Sequence, residues 1–394
     1  MNHKSLKEGF FIKRVSTLEK IKRSSIELFA KNCYHEISVL SIMKKAKISN
    51  SAFYKYFNSK KELLDSLVED ILLEFDTALN VKGLTFRSKI TRMIEDYIYF
   101  VQENILECSV LHEAEYIEEK ISMSLKNILK KKLSDVGLDI GDEFFWFFWG
   151  SIRFLVVWSE LWKLKKIDES VFENLLTFLF KGISPGHYEL NDKVFFYKPV
   201  KIQMLNDSTK MKLFSSAERL FGTKGYHKTQ ISEITKTAGV AQGTFYLYFQ
   251  NKKEILKELV KWTNRNLRKE LKEVIEALSD RRDMEIAGYF VFLKFFEKHP
   301  WMYRIVREAE FVVPDVGIWY YKKLHDSYLE PLKQAISKRQ IVNLNPDDLA
   351  VFLMGIGHFM GEDLIVLKKH PEDKFKDSLS KLSRYLFHGI RGGK

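Results

Sequence analysis

SAFYKYFNSKKELL, from Ser51 to Leu64, returns about 190 residues later as GTFYLYFQNKKEIL, from Gly243 to Leu256. The likeness extends from Ser24 to Val68 and from Ser215 to Val260, with agreement at roughly 40% of positions. Upstream of each passage, apolar residues recur at helical spacing: Ile21, Ser25, Leu28 and Phe29, then Leu213, Ala217, Leu220 and Phe221. Helix, short turn and second helix, written twice, read as two helix-turn-helix units in one chain.

The second copy carries the clearer local signals. Thr229 is expected to cap a helix running from Gln230 to Thr237, with Glu233 near its first turn. Gly239 supplies the turn, where a left-handed backbone is often needed. The next helix, Ala241 to Tyr248, is expected to expose Ala241, Gln242, Gly243, Thr244, Tyr246 and Tyr248 while Phe245 and Phe249 face inward. Asn251 caps the helix after it and leaves Lys252 at its start. The first copy departs from this pattern. Cys33 stands for Gly225, Lys47 for Gly239, Ser51 for Gly243 and Ile37 for Thr229, so the cap passes to Ser38. Each lost glycine costs stability wherever a positive φ is required. The residues exposed there are Ser49, Asn50, Ser51, Ala52, Tyr54 and Tyr56, followed by Lys60.

Charge points to the same two segments. The chain of 394 residues carries a formal net charge of +12. Residues 1–70 hold about 14 Lys and Arg against about 8 Asp and Glu, and residues 198–262 about 12 against about 5. A generic basic surface would spread its excess, whereas here the remainder is near neutral. Positive charge confined to two helix-turn-helix units suits a phosphate backbone.

The run LFxxxGYxxTxxxxITxxAGVxxGTFYxYFxNKKEIL in the second copy resembles the TetR family of transcriptional regulators, and the first copy repeats most of it. The resemblance implies an all-α fold of two TetR-like halves. Each half would join a three-helix DNA-binding domain to a helical domain for ligand binding and dimerisation. The expected domains are 1–68, 69–184, a linker 185–207, 208–262 and 263–394. It also implies that the short helix enters a major groove, with Thr229, Gln242, Gly243, Thr244, Tyr246, Tyr248 and Lys252 at contact positions. Chemically, Gln242 suits a base edge, while hydroxyls and Lys252 suit phosphates. Lys60 is expected to do the same in the first copy. The basic stretch from Lys4 to Arg14 reads as a tail, with a minor-groove arm as the alternative.

Other features are consistent with a cytoplasmic, non-membrane regulator. Two cysteines, Cys33 and Cys108, are too few for a disulfide framework. No secretory leader is expected, and the aromatic run from Phe144 to Trp158 is broken by Arg153 and too short to span a bilayer. That band suits core and interface better than a pocket wall. In the second half, Trp301, Tyr303, Phe311, Trp319, Tyr320, His325, His358 and Met360 are candidates for a pocket taking a small, largely apolar ligand. Glu113, Glu115, Glu308 and Glu310 read as capping or solvated residues. No nucleophile elbow, phosphate-binding loop or metal-ligand spacing occurs, so neither an enzyme nor a cofactor or metal is expected. The expected function is a repressor released by that ligand, reading a double-stranded operator of two dissimilar half-sites. The chain is expected to act as a monomer, an intramolecular dimer, with weaker self-association open. The alternative is a ligand sensor or protein-interaction module whose first head no longer binds DNA.

Overall fold

The computed structural model describes residues 16–138, 140–196, 209–367 and 372–391. The basic stretch from Lys4 to Arg14 and the second part of the linker lie outside them. Among the described residues there is no strand. The main helices in chain order are α1 (Thr17–Phe29), α2 (Val39–Ala46), α3 (Asn50–Phe53), α4 (Lys60–Ala78), α5 (Phe86–Glu103), α6 (Ile105–Ile117) and α7 (Glu119–Ser134). They continue with α8 (Asp142–Leu161) and α9 (Glu169–Lys181). A short 3₁₀ turn, Asp192–Phe195, follows. Then come α10 (Thr209–Lys224), α11 (Ile231–Ala238), α12 (Gln242–Tyr246), α13 (Lys252–Ile275), α14 (Arg281–Lys298), α15 (Pro300–Val312), α16 (Pro314–Ser337), α17 (Pro346–Leu367) and α18 (Glu372–His388). The order from α10 onward repeats the order from α1.

Local chemistry sets most boundaries. Ser16 and Glu19 form a reciprocal capping box at α1, as do Ser38 and Ser41 at α2, where the cap was expected. Asn251 caps α13 by accepting from the Glu254 amide at 3.0 Å. Proline opens α15, α16 and α17, where its missing N–H costs nothing. At α11 the expectation needs correcting: Gln230, not Thr229, is the N-cap, with Glu233 returning to the Gln230 amide at 3.0 Å.

The fifth and sixth helices of the two halves match in length. Helices α5 and α14 both have 18 residues, and α6 and α15 both have 13. Extra residues enter in α13, of 24 against 19 in α4, and in α16, of 24 against 16 in α7.

The chain divides into two compact units. One holds the residues up to Glu74 together with Leu106–Ala114. Within it, α1 to α3 and the start of α4 close over Ile21, Phe29, Ile42, Phe53 and Leu63, all nearly or fully buried. The other unit runs over Phe75–Ile105 and from Glu115 onward, and so includes the second helix-turn-helix segment.

The larger unit is organised by α8 against α17. A Cβ on Gly355 would lie 2.3 Å from the Gly150 carbonyl oxygen, and one on Gly150 would lie 2.9 Å from the Gly355 oxygen. Only glycine lets these two backbones meet. Around that crossing Phe147 packs on Phe178 at 5.1 Å, Phe178 on Phe352 at 5.4 Å, and Trp158 on His325 at 4.9 Å. The aromatic band is thus core and inter-half contact. Helices α8 and α17 are long and apolar enough to cross a membrane, which the run of aromatics alone did not suggest. Here both are mostly buried. The end of α9 repeats the device. Gly182, at φ +67, and Gly389, at φ +70, each face backbone of the other half, and the Ile183 and Ser184 amides donate to the Leu386 and Phe387 carbonyls at 2.8 and 2.9 Å. Lys126 reaches Asp363 at 2.6 Å, where the Trp146 indole N–H also donates at 2.7 Å.

Gly355→Ala should therefore lower stability by about 1–3 kcal/mol through overpacking. Gly243→Ala, which meets nothing within 4 Å among the described residues, should leave it unchanged or raise it by up to about 1 kcal/mol. Urea unfolding of the two variants beside the parent checks the contrast.

Candidate nucleic-acid interface and effector cavity

Each head presents a short helix held from behind by two phenylalanines. Phe53 and Phe57 are buried 5.7 Å apart in the first head, Phe245 and Phe249 5.5 Å apart in the second. Their burial turns the other face outward. Ser49, Asn50, Ser51, Tyr54 and Tyr56 are exposed and Ala52 is half-exposed; Ala241, Gln242, Gly243, Tyr246 and Tyr248 are exposed and Thr244 is half-exposed. The pattern matches the sequence reading. What that reading passed over is Leu247, 81% exposed, at the position held by exposed Lys55 in the first head.

Three residues expected at the interface do other work. Thr229 is 1% exposed and its hydroxyl donates to the Gly225 carbonyl at 2.9 Å, so it tightens the turn before α11. Lys252 is half-buried over the Tyr226 ring, and its ammonium donates to the Tyr226 and Thr229 carbonyls, both at 2.8 Å. Lys60 does the same in the first head, donating to the Tyr34 and Ile37 carbonyls at 2.7 and 2.6 Å. Two of each ammonium's three hydrogens are thus committed to carbonyls at the end of the preceding loop. Burial lowers both lysine pKa values.

The same tyrosines join each head to its helical region. The Tyr226 amide donates to both carboxylate oxygens of Glu308, at 2.8 and 3.0 Å, and the Tyr34 amide to both oxygens of Glu113, at 2.9 and 3.1 Å. Burial pushes both carboxyls up to about 7. Glu308 and Glu113, which read as capping or solvated, are instead buried acceptors for these distant amides. Turn chemistry distinguishes the heads. Lys47 adopts φ +58 where Gly239 has φ +69, a conformation that costs a side-chain-bearing residue roughly 1–2 kcal/mol. Cys33 avoids the cost at the other lost glycine by taking φ −54.

The second half encloses a cavity of about 470 Å³ between α13, α14, α16 and α17. Leu267, Leu271, Met284, Phe292, Leu353 and Met354 give it apolar walls. Tyr303, Tyr320 and His358 line it as expected, joined by Tyr289, Tyr321 and Tyr328. Most of these hydroxyls are engaged: Tyr289 donates to the Leu353 carbonyl at 2.9 Å, Tyr303 to the His358 carbonyl at 2.7 Å and Tyr321 to Glu310 at 2.6 Å. Among the described residues the hydroxyl of Tyr320, 2% exposed, has no partner, and the buried Arg281 keeps its Nε–H unused beside its ion pair with Glu285.

The remaining cavity candidates lie elsewhere. Trp301 fills the space over Gly222, Phe311 packs on Tyr116 at 5.7 Å, and Met360 is wholly buried. His325 stacks on Trp158 and meets Asp347 at 3.2 Å, while Trp319 lines a separate basic recess with Lys261, Arg265 and Arg268. Helical spacing put these aromatics on plausible faces but could not tell which face the lengthened α16 turns to the cavity.

Sequence comparison agrees with the heads. The family model described as bacterial regulatory proteins, tetR family, matches residues 21–67 and again 213–259. Each match is a DNA-binding helix-turn-helix domain, and the chain carries two. It thus carries two tetR-family domains in tandem. A fatty acid metabolism regulator protein from Bacillus subtilis is 49% identical over 51 residues, 13% of this chain and 26% of that protein. The transcriptional activator FasR from Mycolicibacterium smegmatis is 26% identical over 106 residues, 27% of this chain and 48% of that protein. The chain thus spans under half the length of these curated relatives. Among solved structures, a TetR-family regulator from Syntrophomonas wolfei aligns with 21% identity and a TM-score of 0.43, over 47% of this chain and 97% of that one.

Lys252→Ala should loosen the second head by about 1–3 kcal/mol, because two carbonyls lose a charged donor. The slope of log K against log salt should change by much less than one unit. Thermal melting and a salt titration of DNA binding test this together. A slope flattened by a full unit with unchanged melting would restore Lys252 to the phosphate backbone.

Proposed function

We propose that this protein is a sequence-specific DNA-binding transcriptional regulator whose two unlike heads read one operator of two dissimilar half-sites. The observation that carries the reading is the paired exposed helices. Each offers two tyrosines on a phenylalanine-backed scaffold, yet their neighbours differ: Asn50, Ser51 and Lys55 against Gln242, Gly243 and Leu247. Asn and Gln both favour adenine edges but differ in reach, and Gly243 allows a closer backbone approach than Ser51. Two copies of one chain would impose a palindrome, whereas two heads on one chain need not. The reciprocal glycine contacts between α8 and α17 support a single chain serving as its own dimer.

Regulation in this reading is release of a repressor by a small, largely apolar ligand in the second-half cavity. Helix α15 offers the mechanical link. It carries Tyr303 at the cavity and, 5 residues on, Glu308 holding the Tyr226 amide of the second head. Between them Arg307 is buried against Glu310, itself bonded to Tyr321 of the cavity. A ligand that favours one position of α15 shifts the head it holds.

Selection from random duplexes should recover two different half-sites, their centres roughly 34–36 Å or a multiple apart. Gln242→Ala should relax one of them by about 1–3 kcal/mol and leave the other intact, and Asn50→Ala should do the converse. Recovery of a perfect palindrome would defeat the two-reader account, and recovery of a single half-site would favour a silent first head.

A further inference from the structure

The pairing of halves allows each cavity residue to be matched with its counterpart. Helices α5 and α14 have equal length and follow equivalent caps, Thr85 and Asp280, so Met93 matches Gly288 and Tyr97 matches Phe292. The glycines at the α8–α17 crossing set the other register, so Trp149 matches Met354, Ile152 matches Gly357 and Arg153 matches His358. Phe75 on α4 matches Leu267 on α13.

Where the second half has a cavity, the first half has its own side chains. Met93, Trp149, Ile152 and Arg153 are all at most 3% exposed. Trp149 lies 4.7 Å from the Tyr97 ring and 6.4 Å from Phe75. Arg153 donates to the Tyr97 hydroxyl at 3.2 Å and to Glu115 at 3.0 Å. An indole and a guanidinium thus occupy the place of a thioether and an imidazole, and two glycines are replaced by Met and Ile. Beyond Trp149 there is a separate, smaller and more polar cleft of about 300 Å³, with Glu115, Lys126, Asp142 and Asp363 among its walls.

We propose that the chain takes one effector molecule, in the second half alone, and that the first half is built permanently occupied by its own side chains. The inference rests on the ligand-released reading above and narrows it: the effector has a mostly apolar body and polar groups that the Tyr320 hydroxyl and the Arg281 Nε–H can meet. Among the described residues these are buried polar atoms without partners, in the wall of a mostly apolar cavity. The first half then acts as a fixed reference against which the second half moves, and only one of the two heads is displaced directly.

The test uses the full chain and 1-anilinonaphthalene-8-sulfonate, an apolar anion with a hydrogen-bond-accepting head, titrated by calorimetry and fluorescence. One site per chain is expected. Gly288→Met, which carries the first half's residue into the second, should weaken the probe by at least tenfold. A Cβ there meets nothing closer than 3.9 Å, and methionine suits a helix better than glycine, so the melting temperature should hold or rise. Tyr320→Phe should weaken the probe several-fold without changing the count. Two sites per chain, or undiminished binding to Gly288→Met, would overturn the single-site proposal while leaving a ligand-released regulator standing. No probe binding to the parent chain would remove the ligand-released reading itself.

Discussion

The architecture of the larger unit depends on one close approach. Helices α8 and α17 meet where Gly150 and Gly355 face each other, so near that neither can bear a Cβ without moving the partner's backbone. Helix axes separated by ordinary side chains sit 8–10 Å apart. Removing the Cβ on both sides brings the axes closer and lets aromatic side chains interdigitate around the contact. Phe147, Phe154, Phe178 and Phe352 then fill the layer on either side, and the second glycine pair, Gly182 and Gly389, fastens the helices that follow. Because the contact lies within one polypeptide, its two sides are free to diverge.

That freedom is visible in the cavity. A symmetric pair of identical chains must carry either two cavities or none. Here Gly288 and Gly357 leave room, while Met93, Ile152 and Trp149 fill the matching volume. The filling gains packing and an internal ion pair, Arg153 with Glu115, whereas the open side keeps two polar atoms without a partner among the described residues, at a cost in stability. The heads diverge by the same licence: a left-handed Lys47 stands where Gly239 is strain-free.

What the sequence disclosed followed how local each signal was. The heads were legible because their periodicity, caps at Ser38 and Asn251, and inward phenylalanines act within a few residues. Thr229 misled because a threonine hydroxyl can cap a helix or bond a carbonyl behind it, and the Gly225 carbonyl won. Lys60 and Lys252 misled more deeply. Their partners are backbone carbonyls over 20 residues upstream, and a carbonyl leaves no mark in the sequence. Glu113 and Glu308 read as capping or solvated, yet both are buried and accept a tyrosine amide about 80 residues upstream, a partner with no local signature. The cavity could have been sharpened by matching Gly288 and Gly357 to Met93 and Ile152. Lengthening of α13 and α16 shifts the register between halves and hid that comparison.

The central claim is that one chain supplies both sides of the DNA-reading pair. Sedimentation of the protein with a duplex carrying the selected operator tests it most directly, at concentrations well above the dissociation constant. One chain per duplex, with the free protein monomeric, is the predicted result. Two chains per duplex held through α8 and α17, with monomeric chains unable to bind, would contradict it.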